Sequence, residues 1–112
     1  MVQLTSITGG GGAVHQSPAG LQTVADCLEA FARGRVGALY DLGIAYSTGS
    51  HGLACDLIEA HRWFNIAAAK GHGEAALCRA DVADEMTAAE IAEAQRRARQ
   101  WLAGAGAGRR AA

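Results

Sequence analysis

Residues 38–49 read Ala38-Leu39-Tyr40-Asp41-Leu42-Gly43-Ile44-Ala45-Tyr46-Ser47-Thr48-Gly49. After a short turn, residues 56–71 read Asp56-Leu57-Ile58-Glu59-Ala60-His61-Arg62-Trp63-Phe64-Asn65-Ile66-Ala67-Ala68-Ala69-Lys70-Gly71. Ala38, Leu39, Leu42, Ala45 and Tyr46 recur at helical spacing, so the first stretch predicts a helix from about Val36 to Ser47. Gly43 inside that helix costs about 1 kcal/mol relative to alanine, and close approach of a neighbouring helix is the expected return. Thr48 to Cys55 contains two glycines, breaks the period and reads as a turn. Asp56 is placed to cap the next helix, with Glu59 three residues on as the other half of a capping box. Ala60, Trp63, Phe64, Ala67 and Ala68 would form its apolar face, with His61 on the outer side and Gly71 at its end.

Outward from this pair, the same rules find three more helices. Ser17-Pro18 is a helix start, Ser17 as N-cap and Pro18 at the first position, where a missing N–H costs nothing. Leu21, Val24, Ala25, Leu28 and Ala32 follow as one stripe, and Gly34 can end that helix. A fourth helix runs from Gly73 to about Met86, with Ala75, Arg79, Val82, Ala83 and Met86 inward. Thr87 and Glu90 form a second capping box for a last helix to about Ala103, with Ile91, Ala94, Ala98 and Leu102 inward. Its acids lie early and its arginines (Arg96, Arg97, Arg99) late, which suits the helix dipole. Residues 1–16, with Gly9 to Gly12, read as a flexible glycine-rich leader, and residues 104–112 as a disordered Gly/Ala/Arg tail.

The helices repeat. Gly34, Ala38 and Tyr40 align with Gly71, Ala75 and Leu77, and Ala60-x-x-Trp63 aligns with Ala98-x-x-Trp101. A period near 37 residues that spans helix, turn and helix is the signature of an α-solenoid unit, which cannot bury its apolar face alone. The markers from Ala38 through Leu42-Gly43, Tyr46, Gly49, Asp56, Ala60, Trp63 and Ala67-Ala68 to Gly71 resemble a Sel-1-like repeat. The pattern of that family, a relative of the tetratricopeptide repeats, runs A-x-x-x-L-G-x-x-Y-x-x-G-x-G, then D, A, W and A-A-x-x-G. The likeness covers about residues 34–103. One extra residue separates the paired glycines in Gly49-Ser50-His51-Gly52. The second unit departs further, with Arg79 in place of the leucine and Ala80 in place of the glycine, and its tail from Glu85-Met86-Thr87 through Ala94-Gln95-Arg96 to Trp101 resembles the closing unit of small bacterial members.

The resemblance implies an all-α chain, a short right-handed α-α superhelix of about five helices. Residues 17–34 would be an N-terminal capping helix, 35–71 the first repeat and 72–103 a degenerate second one. Ala38, Leu42, Gly43, Tyr46, Ala60, Trp63, Ala67, Ala75, Ala98 and Trp101 would be the repeat-packing set. Trp63 and Trp101 read as bulky packing residues at equivalent positions. Arg79 would give the terminal unit its polar end or pair with a buried acid, and the first is preferred.

Composition narrows the function. Of 112 residues, half are hydrophobic, 26 are alanine and only six aromatic. That suits closely spaced helices and leaves no room for a large enzyme with its own deep cleft. The net charge of −1 sets up no global field toward nucleic acid or acidic lipid. No apolar run is long enough for a membrane span. The uncharged residues 1–25 lack the basic start and apolar run of a signal peptide, with glycines where that run would stand. Cys27, Cys55 and Cys78, an odd number without a CxxC pair, read as buried thiols of a reducing cytoplasm.

Ligand-type residues exist in His51, Cys55, His61, His72 and Cys78, but their spacing matches no established zinc pattern. Hydrolytic motifs, Gly-x-Ser-x-Gly or Ser-x-x-Lys, are missing from the sequence. The arginines near the end read as a solvated helix terminus rather than a nucleic-acid surface. No catalytic, cofactor or metal residues are therefore expected, and the family likeness implies an adaptor or scaffold that binds another protein. Asp41, Ile44 and Thr48 on one front helix and Glu74, Cys78 and Asp81 on the next are the candidate contacts. The alternative is self-assembly, since about three repeats are usually needed for a stable solenoid and here there are two and a cap.

Overall fold

The computed structural model describes residues 17–111, with side chains as far as Gly104. The leader expected over residues 1–16 lies outside them. Within them the chain is all-α: α1 (Pro18–Ala32), α2 (Gly37–Thr48), α3 (Leu57–Ala69), α4 (Gly73–Ala83) and α5 (Ala88–Ala111). α1 packs on α2, α2 on α3, and α3 also on α4 and α5.

The helix boundaries follow local chemistry. Ser17 accepts a hydrogen bond from the Gly20 amide at 3.1 Å and caps α1. Asp56 accepts from the Glu59 amide at 3.1 Å and caps α3. The reciprocal half of that box is absent, because the Asp56 amide donates instead to the Tyr46 carbonyl at 3.0 Å. Glu59 is thereby released for other partners. The second box closes fully: Thr87 Oγ1 accepts from the Glu90 amide at 3.1 Å, and the Thr87 amide donates to Glu90 Oε1 at 2.9 Å. α5 continues to Ala111, past the end expected near Ala103 and through the tail read as disordered. Extending an existing helix needs no new nucleus, which offsets part of the cost of the glycines that alternate with alanine there.

α3 lies at the centre, so a single apolar stripe does not describe it. Ala60, Trp63, Phe64 and Ala67 are buried as the pattern indicates, but Ile66 and His61 are buried too. His61 is only 3 % exposed, which corrects its expected position on the outer side of the helix. Each of Leu39, Leu42, Phe64 and Ile66, wholly buried, contributes about 1.5–3 kcal/mol relative to an exposed side chain. Gly43 is required by α3: a Cβ there would stand 2.6 Å from the Phe64 ring. Of the ten residues expected to pack between repeats, nine are buried and Trp101 is half-buried.

α1 differs from its sequence reading. Leu21, expected inward, is 59 % exposed, and Ala25 and Ala32 are exposed as well. The face that meets the core is Gly20, Val24, Cys27, Leu28 and Phe31, rotated by roughly one residue position. Two anchors outside α1 set this rotation. Phe31 lies against Trp101 of α5, ring centroids 5.9 Å apart. At the other end, Gly52 presses on the α1 backbone, so close that a Cβ at Gly52 would stand 2.5 Å from the Gly20 nitrogen.

Candidate interaction groove

The turn between α2 and α3 builds one wall of the candidate site. Gly49 takes the left-handed conformation that ends α2, and His51 (φ 58°) and Gly52 (φ 83°) follow it there. Leu53, which no periodicity marks, turns inward and is 3 % exposed. This anchors the turn against the start of α1. Ser17 Oγ donates to the Gly52 carbonyl at 3.1 Å, and Thr23 Oγ1 donates to the His51 carbonyl at 2.8 Å.

Between this turn, α1 and α2 lies a groove of about 310 Å³, lined by Thr23, Cys27, Asp41, Ile44, Ala45 and His51. Two of the six candidate contacts, Asp41 and Ile44, line it. Asp41 is exposed and Ile44 half-buried. Thr48 is exposed but spends its hydroxyl locally, on the Ile44 carbonyl at 2.9 Å and on Ser50 Oγ at 2.8 Å. The other three stand on α4. Glu74 and Asp81 are exposed, and half-buried Cys78 donates through Sγ to the Tyr40 hydroxyl at 3.7 Å. Tyr40 also stacks on His72, centroids 4.4 Å apart, so the α2–α4 seam continues the surface from the groove.

Thr23, Cys27 and His51 were not among the sequence candidates. Their signal lay in a relation between distant segments: α1 turns Cys27 inward only because the 49–55 turn and Trp101 fix its rotation. Burial, Asp41 and Asp26 together push the Cys27 thiol above its ordinary pKa, with Arg35 opposing them weakly. The groove thiol is therefore protonated and poorly nucleophilic near neutral pH. Cys55 is exposed, which corrects its expected burial, and its Sγ donates to the Ser47 carbonyl at 3.5 Å.

A separate polar network ties α3 to α5. Glu59 accepts from Trp63 Nε1 at 3.2 Å and from Arg97 Nη1 at 2.7 Å. Arg97 Nε and Arg96 both donate to Glu93, and these hydrogen bonds hold its carboxyl at about 2, well below the usual carboxylate value. Arg62 lies 4.3 Å over the Trp63 ring. Arg79, preferred as the polar cap of an open end, is half-buried and turns inward to donate to Asn65 Oδ1 at 2.6 Å. Its partner is a neutral amide rather than the buried acid of the alternative reading.

Among the described residues no group of three or more His, Cys, Asp or Glu could hold a metal ion, and no helix is long and apolar enough to cross a membrane. Comparison of the chain with protein-family models, curated proteins and solved structures finds no match.

Proposed function

We propose that this chain is a non-enzymatic protein–protein interaction module, an adaptor or scaffold of the Sel-1-like type, working in the cytoplasm. The groove bordered by Asp41 and Ile44 carries the reading. Its lining is mostly apolar with the Asp41 carboxylate at its edge, and it is large enough for a partner's side chains. The repeat is supported by three contacts at one sequence separation: Tyr40 with Cys78, Glu59 with Arg97 and Trp63 with Trp101 are each 38 residues apart. Such contacts, between equivalent positions in the last two pairs, are what a short superhelical stack makes between neighbouring units. Affinity capture from the source cell, with wild type against Ile44→Asp, tests the function. Loss of the captured partner with an unchanged melting temperature supports it; equal capture by both proteins overturns it.

Self-assembly is the second reading, favoured by Leu77. It is 71 % exposed at the position equivalent to Tyr40, which packs against the next unit. A dimer in sedimentation that Leu77→Glu dissociates would support that arrangement, and a monomer at high concentration would remove it.

A further inference from the structure

The charge around the groove is mainly negative, with Arg35 as the opposing cation near Cys27, although the net charge of the whole chain is only −1. Asp26 on α1 and Asp41 on α2 both lie within electrostatic reach of the Cys27 thiol, and Asp41 and Glu74 on α4 both lie within reach of the Tyr40 hydroxyl. The three exposed carboxylates thus follow one another across α1, α2 and α4, with the groove beneath the middle one. Among the described residues, Asp41 and Glu74 have no hydrogen-bonded or ion-paired cation. By contrast Glu29, Glu59 and Glu93 are each bound by arginine.

Resting on the interaction-module reading, we propose that the groove receives a basic segment of a partner protein, with an apolar side chain inserted beside a lysine or arginine. The apolar side chain would enter over Ile44 and Ala45, and the cation would stand at the rim between Asp41 and Glu74. Rim carboxylates without internal partners attract cations during encounter and leave no buried charge unpaired when the groove is filled. A second copy presenting this same surface would oppose carboxylate to carboxylate, an arrangement that like-charge repulsion penalises. This sets aside a symmetric pairing of two copies through the groove, and the occupant proposed is a different chain.

Selection of displayed random twelve-residue peptides on the whole protein, followed by anisotropy titration of the synthesised winners, tests this. The expected winners carry Lys or Arg next to a large apolar residue and bind more weakly as salt rises. Asp41→Asn and Glu74→Gln should each weaken them by about two- to fivefold, as exposed ion pairs do. Ile44→Asp should abolish binding, with circular dichroism confirming the fold and Ile44→Ala as a milder second variant. Winners that need Ile44 but show no cation enrichment, or bind Asp41→Asn unchanged, overturn the basic-segment inference and leave the interaction module standing. Failure to recover any peptide sensitive to Ile44 overturns both. A dimer in sedimentation that Asp41→Asn alters would show a second copy in the groove and also overturn the inference.

Discussion

Glu59 of α3 and Arg97 of α5 are joined by a 2.7 Å ion pair across 38 residues of sequence. One turn further along both helices, Trp63 and Trp101 meet edge to face, with centroids 5.5 Å apart. Two contacts at the same separation, each four residues on, mean that α3 and α5 run parallel and in fixed register. The Glu59 carboxylate is the hinge of that arrangement. It is released from helix capping by the Tyr46 carbonyl, which takes the Asp56 amide, and it then serves Trp63 and Arg97 together.

Glu59→Ala removes the acceptor from both donors, one of them on a buried tryptophan. The expected loss is about 1–3 kcal/mol, toward the lower end because Arg97 remains about one-third exposed to water. Urea denaturation measures it, and a double-mutant cycle with Arg97→Met isolates the pair. A coupling energy indistinguishable from zero would mean that the tryptophan contact alone sets the register.

Gly43→Ala tests the approach of α2 to α3. Alanine gains about 1 kcal/mol of helix propensity over glycine, but here its Cβ meets the Phe64 ring at 2.6 Å. Overpacking of this kind costs about 1–3 kcal/mol, so the net change is expected to be destabilising. Phe64→Leu in the same chain should recover part of the loss. Thermal melts of the two single variants and the double variant distinguish steric conflict from a simple loss of core volume.

Gly52→Ala should act on α1 and leave the rest of the chain in place. Its φ of 83° is strained for any L side chain, and the new Cβ would meet the α1 backbone at Gly20. Amide hydrogen exchange is the suitable measurement, because it reports each helix separately. Protection of α1 is expected to fall by at least tenfold while α3 keeps most of its own. Uniform loss across all five helices would show that α1 is part of the global folding unit.

The contrast between α2 and α1 shows what the sequence could carry. In α2 the buried positions Ala38, Leu39, Leu42, Ala45 and Tyr46 are those that periodicity marks, and Gly43 announces a close neighbour. In α1 the apolar residues fill more than half of the circumference, so periodicity alone does not choose between two adjacent stripes. The choice is made by Gly52 and Trp101, more than thirty residues away. The groove inherits that dependence: Asp41 and Ile44 were legible as off-pattern positions on a front helix, whereas Cys27 and His51 join them only through the α1 rotation and the turn. His61 was misplaced for a related reason. A helix packed by three others has no outer side over most of its length.

His61 supplies a pH dependence whose sign is fixed by its surroundings. Burial lowers its pKa below the usual 6.5, and the neighbouring Arg79 guanidinium on α4 lowers it further. Its Nδ1 is buried and has no hydrogen-bond partner on another residue among those described. The unfolded chain therefore binds a proton at His61 more readily than the folded one, and stability is lost as pH falls from 6.5 toward the lowered folded value. Above 6.5 the ring is neutral in both states and this contribution is constant. The melting temperature should accordingly drop between pH 7.5 and pH 5.5, and His61→Leu should flatten that interval. An unchanged slope in the variant would assign the pH dependence to another group.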